Sequence, residues 1–160
     1  MPPELIQPLS PLVPLVHAAS TWFMVGLIWF VQVVHYPLFA AVPAEGSVAY
    51  AIEHQRRTTW VVAPIMILEL ASSVALTMVP HRAEHALAPW VGLGLLCVVW
   101  VSTFAVQVPL HARLANAPHA PTCRLLVLTN YVRTGAWSLR GIIALFLLLP
   151  AVPTPVSATP

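Results

Sequence analysis

The sequence contains no lysine and no aspartate; its 160 residues carry only seven arginines and five glutamates. With 8% charged residues, against roughly 25% in an ordinary soluble domain, the chain has too few solvated groups to cover a globular surface. That excludes a soluble globular domain. A net charge of +2, dispersed along the chain, also leaves no basic patch for nucleic acid, and none is expected as a partner. Cysteine is scarce: Cys97 falls in an apolar run and Cys123 in a connection, without CxxC or Cys/His spacing for a metal or a disulfide framework. Both read as inert or reduced thiols. HExxH and ExxH motifs are absent as well.

What is present is apolar. The chain is 59% hydrophobic with a mean hydropathy of +0.83, and its long runs match the roughly 20 helical residues that cross a hydrocarbon core. Residues 1–160 therefore read as a single integral membrane domain with spans at about 12–36, 58–79, 86–110 and 125–149. The first has no charge between Glu4 and Glu45, the second is interrupted only by Glu69, and the third has no charge at all. The fourth holds Asn130, Arg133 and Arg140, and Pro150 stops it. No basic segment precedes the first run, which is also too long for a cleavable signal core, so it is expected to stay as a span. Without period-2 alternation these runs are helices, and the expected fold is all-α, a four-transmembrane-helix bundle.

Arg56, Arg57, Arg113 and Arg124 fall on one side of such a bundle and Arg82 alone on the other. The arginine excess puts the 40–57 and 111–124 connections in the cytoplasm and both termini outside. Trp22, Trp60 and Trp90 lie near span ends, where indoles sit at the headgroup level, while Trp29 and Trp100 read as packing residues. Pro64 and Pro109 can bend their helices, and Gly92 and Gly94 suit close packing.

Two segments look alike at offsets of 75 and 76 residues. Gln32-Val-Val-His35-Tyr36-Pro37 resembles Gln107-Val-Pro109-Leu-His111, and His54-x-x-Arg57-Thr58-x-Trp60 resembles Asn130-x-x-Arg133-Thr134-x-x-Trp137. Duplicated helical hairpins, 12–79 and 90–149, would place a site at their interface.

Polar groups inside lipid-spanning helices are costly, roughly 2.5 to 3.5 kcal/mol for a charge at the centre, and they face the bundle interior. Gln32 and His35 share one face; Thr103, Gln107 and His111 share another; Asn130, Arg133, Trp137 and Arg140 lie close around the last helix. If the second helix starts before the membrane, Tyr50, Glu53, His54 and Arg57 form a stripe at its beginning. All four helices thus offer polar side chains toward the cytoplasmic half. Glu69 and Arg140 are expected at similar depth, about 16 Å from Thr58 and about 15 Å from Asn130 at 1.5 Å per residue, and are expected to pair, with Arg133 as the competing partner.

His35, His54 and His111 are the candidate metal ligands, with Gln32 and Gln107 as cofactor-binding residues beside them. A metal ion or haem is the cofactor such a set could hold, and interfacial histidines without a ligand are the plainer alternative. Glu69, Asn130, Arg133 and Arg140 are the candidate catalytic residues: Glu69 as base or counter-charge, the arginines holding an oxyanion or a polar substrate group. His17, His81 and His85 could form a second, outer site, though solvated connection residues are the plainer reading; His119 carries no signal.

The Gln32/His35-Tyr36-Pro37 element, the His54–Arg57 segment, Pro64 through Glu69, the Gln107/Pro109/His111 element and Asn130-x-x-Arg133-Thr134 with Trp137 and Arg140 resemble a bacterial four-span integral membrane family of unknown function. That family is similar to the anthrone oxygenase-like membrane domain. The resemblance implies a bacterial inner-membrane protein that oxygenates a reduced polycyclic aromatic without an established cofactor. The function expected is thus oxygenase- or oxidoreductase-like chemistry on a lipophilic small molecule at a polar intramembrane site. A non-catalytic module for lipid binding, transport or scaffolding, working as a homo-oligomer, is the alternative.

Overall fold

Three proline steps cut the chain into its helical rods. Val42, Val79 and Leu149 each precede a proline in sequence and each leave the helix for extended backbone, at ψ of 126°, 139° and 135°. The proline ring disfavours the helical region for the preceding residue, and at these three steps the rod ends there. The computed structural model describes residues 12–79 and 85–149. Within them the chain is all-helical, with no strand.

The first rod is α1 (Leu12–Phe30), a π turn at Val31–His35, α2 (Tyr36–Leu38) and a short 3-10 turn at Phe39–Ala41. The second is one uninterrupted helix, α3 (Ala44–Met78), with Pro64 inside it. The third is α4 (Ala88–Ser102), a π turn at Thr103–Gln107 and α5 (Val108–Leu114); the fourth is α6 (Ala120–Leu148). Leu12–Ala41, Ala44–Met78 and Ala88–Leu114 are long and apolar enough to cross a membrane, which gives the chain multi-pass membrane character. α1 packs against α3 and α6, and α4 packs against α6 and α3. Met24, Ile28, Leu96, Val99, Leu126 and Trp137 form the middle of the apolar core.

The helix bounds differ from the expected ones where polar residues extend a helix beyond its apolar run. α3 begins at Ala44 rather than 58, so the stripe from Tyr50 to Arg57 is helical. α6 begins at Ala120 rather than 125 because His119, read as carrying no signal, caps it by accepting from the Thr122 N–H at 3.2 Å.

Both π turns precede a proline. The Tyr36 N–H closes on the Val31 carbonyl and the Val108 N–H on the Thr103 carbonyl, each one residue before Pro37 or Pro109. Proline has no N–H to give and its ring collides with the carbonyl four residues back, so the wider turn relieves both defects. Each extra residue rotates the helix downstream of it, and beyond the two turns Tyr36 and His111 meet each other. The prolines are 72 residues apart, not 75, so the bends and the glutamines repeat in different registers. The glutamine contacts do not repeat either, since Gln32 and Gln107 both bond to α6.

Candidate functional site

The interior polar groups form two adjoining networks. In the first, Glu69 and Arg140 are completely buried, with Nη2 3.0 Å from Oε1. Oε1 of Glu69 also accepts from the Thr21 hydroxyl at 3.1 Å and from Arg140 Nε at 3.1 Å, and Oε2 accepts from the Trp137 indole at 3.0 Å. Arg140 donates further to the Ser73 hydroxyl at 2.9 Å and to the Gly92 carbonyl. Arg140, not Arg133, is therefore the partner of Glu69. Beside them His17 is buried, its Nδ1 3.4 Å from the hydroxyls of Ser72 and Ser73. His85 instead lies against Phe146, with ring centroids 4.4 Å apart. His81, offered with them as an outer site, lies outside the described residues, as does Arg82.

The second network surrounds Arg133. Asn130 Oδ1 accepts from Arg133 Nε at 2.9 Å and Nη2 at 2.7 Å, while its Nδ2 donates to Gln32 Oε1 at 2.9 Å. Gln32 accepts from the Thr134 hydroxyl at 3.2 Å and donates one N–H to the Val127 carbonyl at 3.2 Å, so both ends of its amide are engaged. Arg133 also donates to the Tyr36 and Thr103 hydroxyls, both at 3.2 Å, and its guanidinium stands 5.8 Å over the Trp137 ring. Trp137 thus links the networks, its N–H on Glu69 and its ring face under Arg133.

From Tyr36 the polar path continues outward. The phenol oxygen is 3.0 Å from His111 Nε2; Arg133 donates to that oxygen, leaving the phenol hydrogen for the imidazole. The His111 ring is 5.1 Å from His54, and His54 Nδ1 is 2.7 Å from His35 Nε2 with the rings stacked at 4.4 Å. Thr58 Oγ1 lies 3.1 Å from the same His54 nitrogen. His35 and His54 line an open cavity of about 320 Å³ together with Tyr50, Glu53, Arg57 and Thr58. Phe39 sets its edge against His54 at 5.0 Å and against Tyr50 at 5.1 Å, walling the cluster.

The structure thus brings the three expected histidines together, on three different rods. Among the described residues no group of three His, Cys, Asp or Glu side chains is arranged to hold a metal ion. His35 and His54 address each other and His111 addresses Tyr36, so as placed the rings make a hydrogen-bonded and stacked set rather than a ligand set. A metal or haem there receives no support from this geometry. Gln107 donates to the Thr129 hydroxyl at 2.9 Å; the hydrogen of Thr129 goes to the Leu125 carbonyl at 2.6 Å, so Gln107 Oε1 is left buried without a partner. His111 Nδ1 is likewise buried and unpartnered.

The residues missed from sequence are the hubs: Tyr36, Thr21, Ser73, Thr134 and the Gly92 carbonyl. His17, Thr21, Gln32 and Tyr36 follow helical spacings of four, eleven and four along one face, a signal that places Tyr36 and Thr21 inward. Fold and site define an all-helical, multi-pass membrane protein with a charged, hydrogen-bonded interior. Comparison of the chain with known protein families, with curated proteins and with solved structures finds no match.

Proposed function

We propose that this chain is a four-transmembrane-helix protein of the bacterial inner membrane, with both termini outside the cytoplasm, that binds a lipophilic small molecule at the histidine-lined cavity and removes a proton from it. The observation that carries this reading is the His35–His54 pair at 2.7 Å, open to the cavity on one side and joined through His111 and Tyr36 to Arg133 on the other. A nitrogen pair that close already holds one proton between its members, so a proton taken from a ligand goes to an outer ring nitrogen of the pair, and the hydrogen bond spreads the resulting charge over both rings. The resemblance to the anthrone oxygenase-like domain extends this to oxidoreductase chemistry. Deprotonation of a reduced polycyclic aromatic ketone gives an anion that dioxygen oxidises.

In this reading His54 and His35 act on the ligand, while Arg133, with Asn130 behind it, supports the charge that develops. Glu69 and Arg140 lie away from the cavity wall and are assigned to holding α3 against α6. One observation favours the non-catalytic alternative, a lipid-binding, transport or scaffold module in a homo-oligomer: the Glu69–Arg140 centre is completely paired among the rods.

The test uses protein purified in mild detergent without a histidine tag, given anthrone in air, with oxygen uptake and quinone formation followed together. Wild type is expected to exceed protein-free micelles and His54→Ala to fall by about 10²- to 10⁴-fold, the usual worth of a positioned base. An inactive wild type, or a fully active His54→Ala, overturns the reading. Metal and haem content per chain is measured on the same samples. A near-stoichiometric metal lost in His54→Ala replaces the proton-transfer reading with a metal one.

A further inference from the structure

Arg133 is a buried cation that meets no anion. The residue is 8% exposed, and its acceptors among the described residues, Asn130, Tyr36 and Thr103, are all neutral. Four of its five N–H groups are engaged; the fifth, on the nitrogen that faces Thr103, has no acceptor among the described residues. The buried carboxylate, Glu69, is already held by Arg140, Thr21 and Trp137. Glu69 and Arg140 cancel, so the described interior carries one uncompensated positive charge.

The cavity mouth has the same sign. Glu53 is bonded by both Arg56 and Arg57, two cations against one anion, and Arg57 and Glu53 both line the cavity. Between mouth and interior stand His35, His54, His111 and Tyr36, contributed by the first, second and third rods, with no free carboxylate among them. A positive charge in a low-dielectric interior is strongly destabilising unless an anion completes it. The Tyr36 ring, whose oxygen touches Arg133, is 6.4 Å from the ring of His54 at the cavity wall.

We infer that the cavity holds its lipophilic ligand as an anion, an enolate, phenolate or carboxylate on an apolar body, whether it arrives ionised or is ionised there, with Arg133 as the charge that favours the ionised form. The inference rests on the binding half of the proposed function and needs no turnover. At an effective dielectric of about 20, a full charge about 10 Å away favours the ionised ligand roughly tenfold.

The probe is 2-hexyl-4-nitrophenol, whose ionised form absorbs near the visible edge, compared with its methyl ether. Both are titrated into the full-length protein in dodecyl maltoside. The phenolate is expected to bind about tenfold tighter than the ether, and the bound phenol to ionise about one pH unit lower than in protein-free micelles. Arg133→Gln removes both effects and Arg133→Lys retains them in part. Phosphatidylglycerol that displaces the phenolate at low mole fraction assigns the anion to a lipid headgroup, and failure to displace it assigns a small molecule; both keep the anion requirement. Equal binding of phenolate and ether to wild type overturns the inference, whether or not Arg133→Gln folds. So does a preference that survives in Arg133→Gln. His54→Ala is expected to keep the anion preference while losing turnover, which separates failure of this inference from failure of the proton-transfer reading.

Discussion

Glu69 on α3 and Arg140 on α6 meet 71 residues apart in the chain, with 3.0 Å between Nη2 and Oε1 and neither side chain reached by solvent. The pair bolts the second rod to the fourth, and Thr21 and Gly92 tie the first and third rods to the same point. Removing one member leaves a bare charge in the interior, which costs about 3 to 5 kcal/mol, whereas replacing both by apolar residues of similar size is often neutral. Glu69→Ala and Arg140→Ala are each expected to abolish accumulation of monodisperse protein, and Glu69→Leu with Arg140→Met to restore it. Size-exclusion profiles of fluorescently tagged variants check this; singles that fold but lose activity would move the pair into the functional site.

Among the described residues, Tyr36 is the hydrogen-bonded link between the Arg133 guanidinium and the histidines. Tyr36→Phe keeps the ring but removes an acceptor from Arg133 and the partner of His111 Nε2. Leaving such buried groups unsatisfied costs about 1 to 3 kcal/mol. The thermal midpoint in detergent is expected to fall, and turnover to fall further than in a variant such as Trp100→Phe, which deletes a buried indole N–H that has no partner. Equal midpoints for Tyr36→Phe and wild type would show that the link carries no stability.

At Gly141, α6 packs tightly against Trp22 and Val25 of α1. A Cβ there would stand 3.1 Å from Val25 Cγ2 and 3.4 Å from the Trp22 ring, whereas one at Gly135 meets nothing within 4 Å. Overpacking a tight contact costs about 1 to 3 kcal/mol, while alanine gains up to about 1 kcal/mol over glycine at a free helical position. Gly141→Leu should therefore lower the thermal midpoint and Gly135→Ala raise it or leave it alone. The opposite order would place the α1–α6 contact elsewhere.

Span number decides topology. With four crossings, alkaline phosphatase fused after residue 149 is active and green fluorescent protein there is dark, while fusions in the connection at residue 43 give the reverse. A fourth rod that does not cross puts the ends on opposite sides and makes the residue-149 fusion fluorescent.

The helical rods were legible because their signals are local. Pro150 marks the stop of the fourth run in the sequence, and apolar runs of the right length need no partner to be recognised. Counting residues along the helices also matched Glu69 with Arg140, since 1.5 Å per residue converts sequence into depth. The hubs were less visible. Tyr36 sat inside a recognised motif without a role, because its partners His111 and Arg133 are 75 and 97 residues away. The two π turns were hidden too, since a π turn adds a residue to the helix without changing the composition around it.

By itself the sequence determined that this chain is helical, apolar and burdened with a few interior charges, because hydropathy, proline and charge act within a turn or two of where they stand. The tertiary structure decided between Arg140 and its competitor Arg133 as the partner of Glu69, and what Arg133 meets instead. The rotation of four rods about one another, set by their packing and by two π turns, gave Glu69 to Arg140 and left Arg133 among neutral oxygens facing the histidines. Helical spacing names a face; the neighbour that face meets depends on every other helix in the bundle.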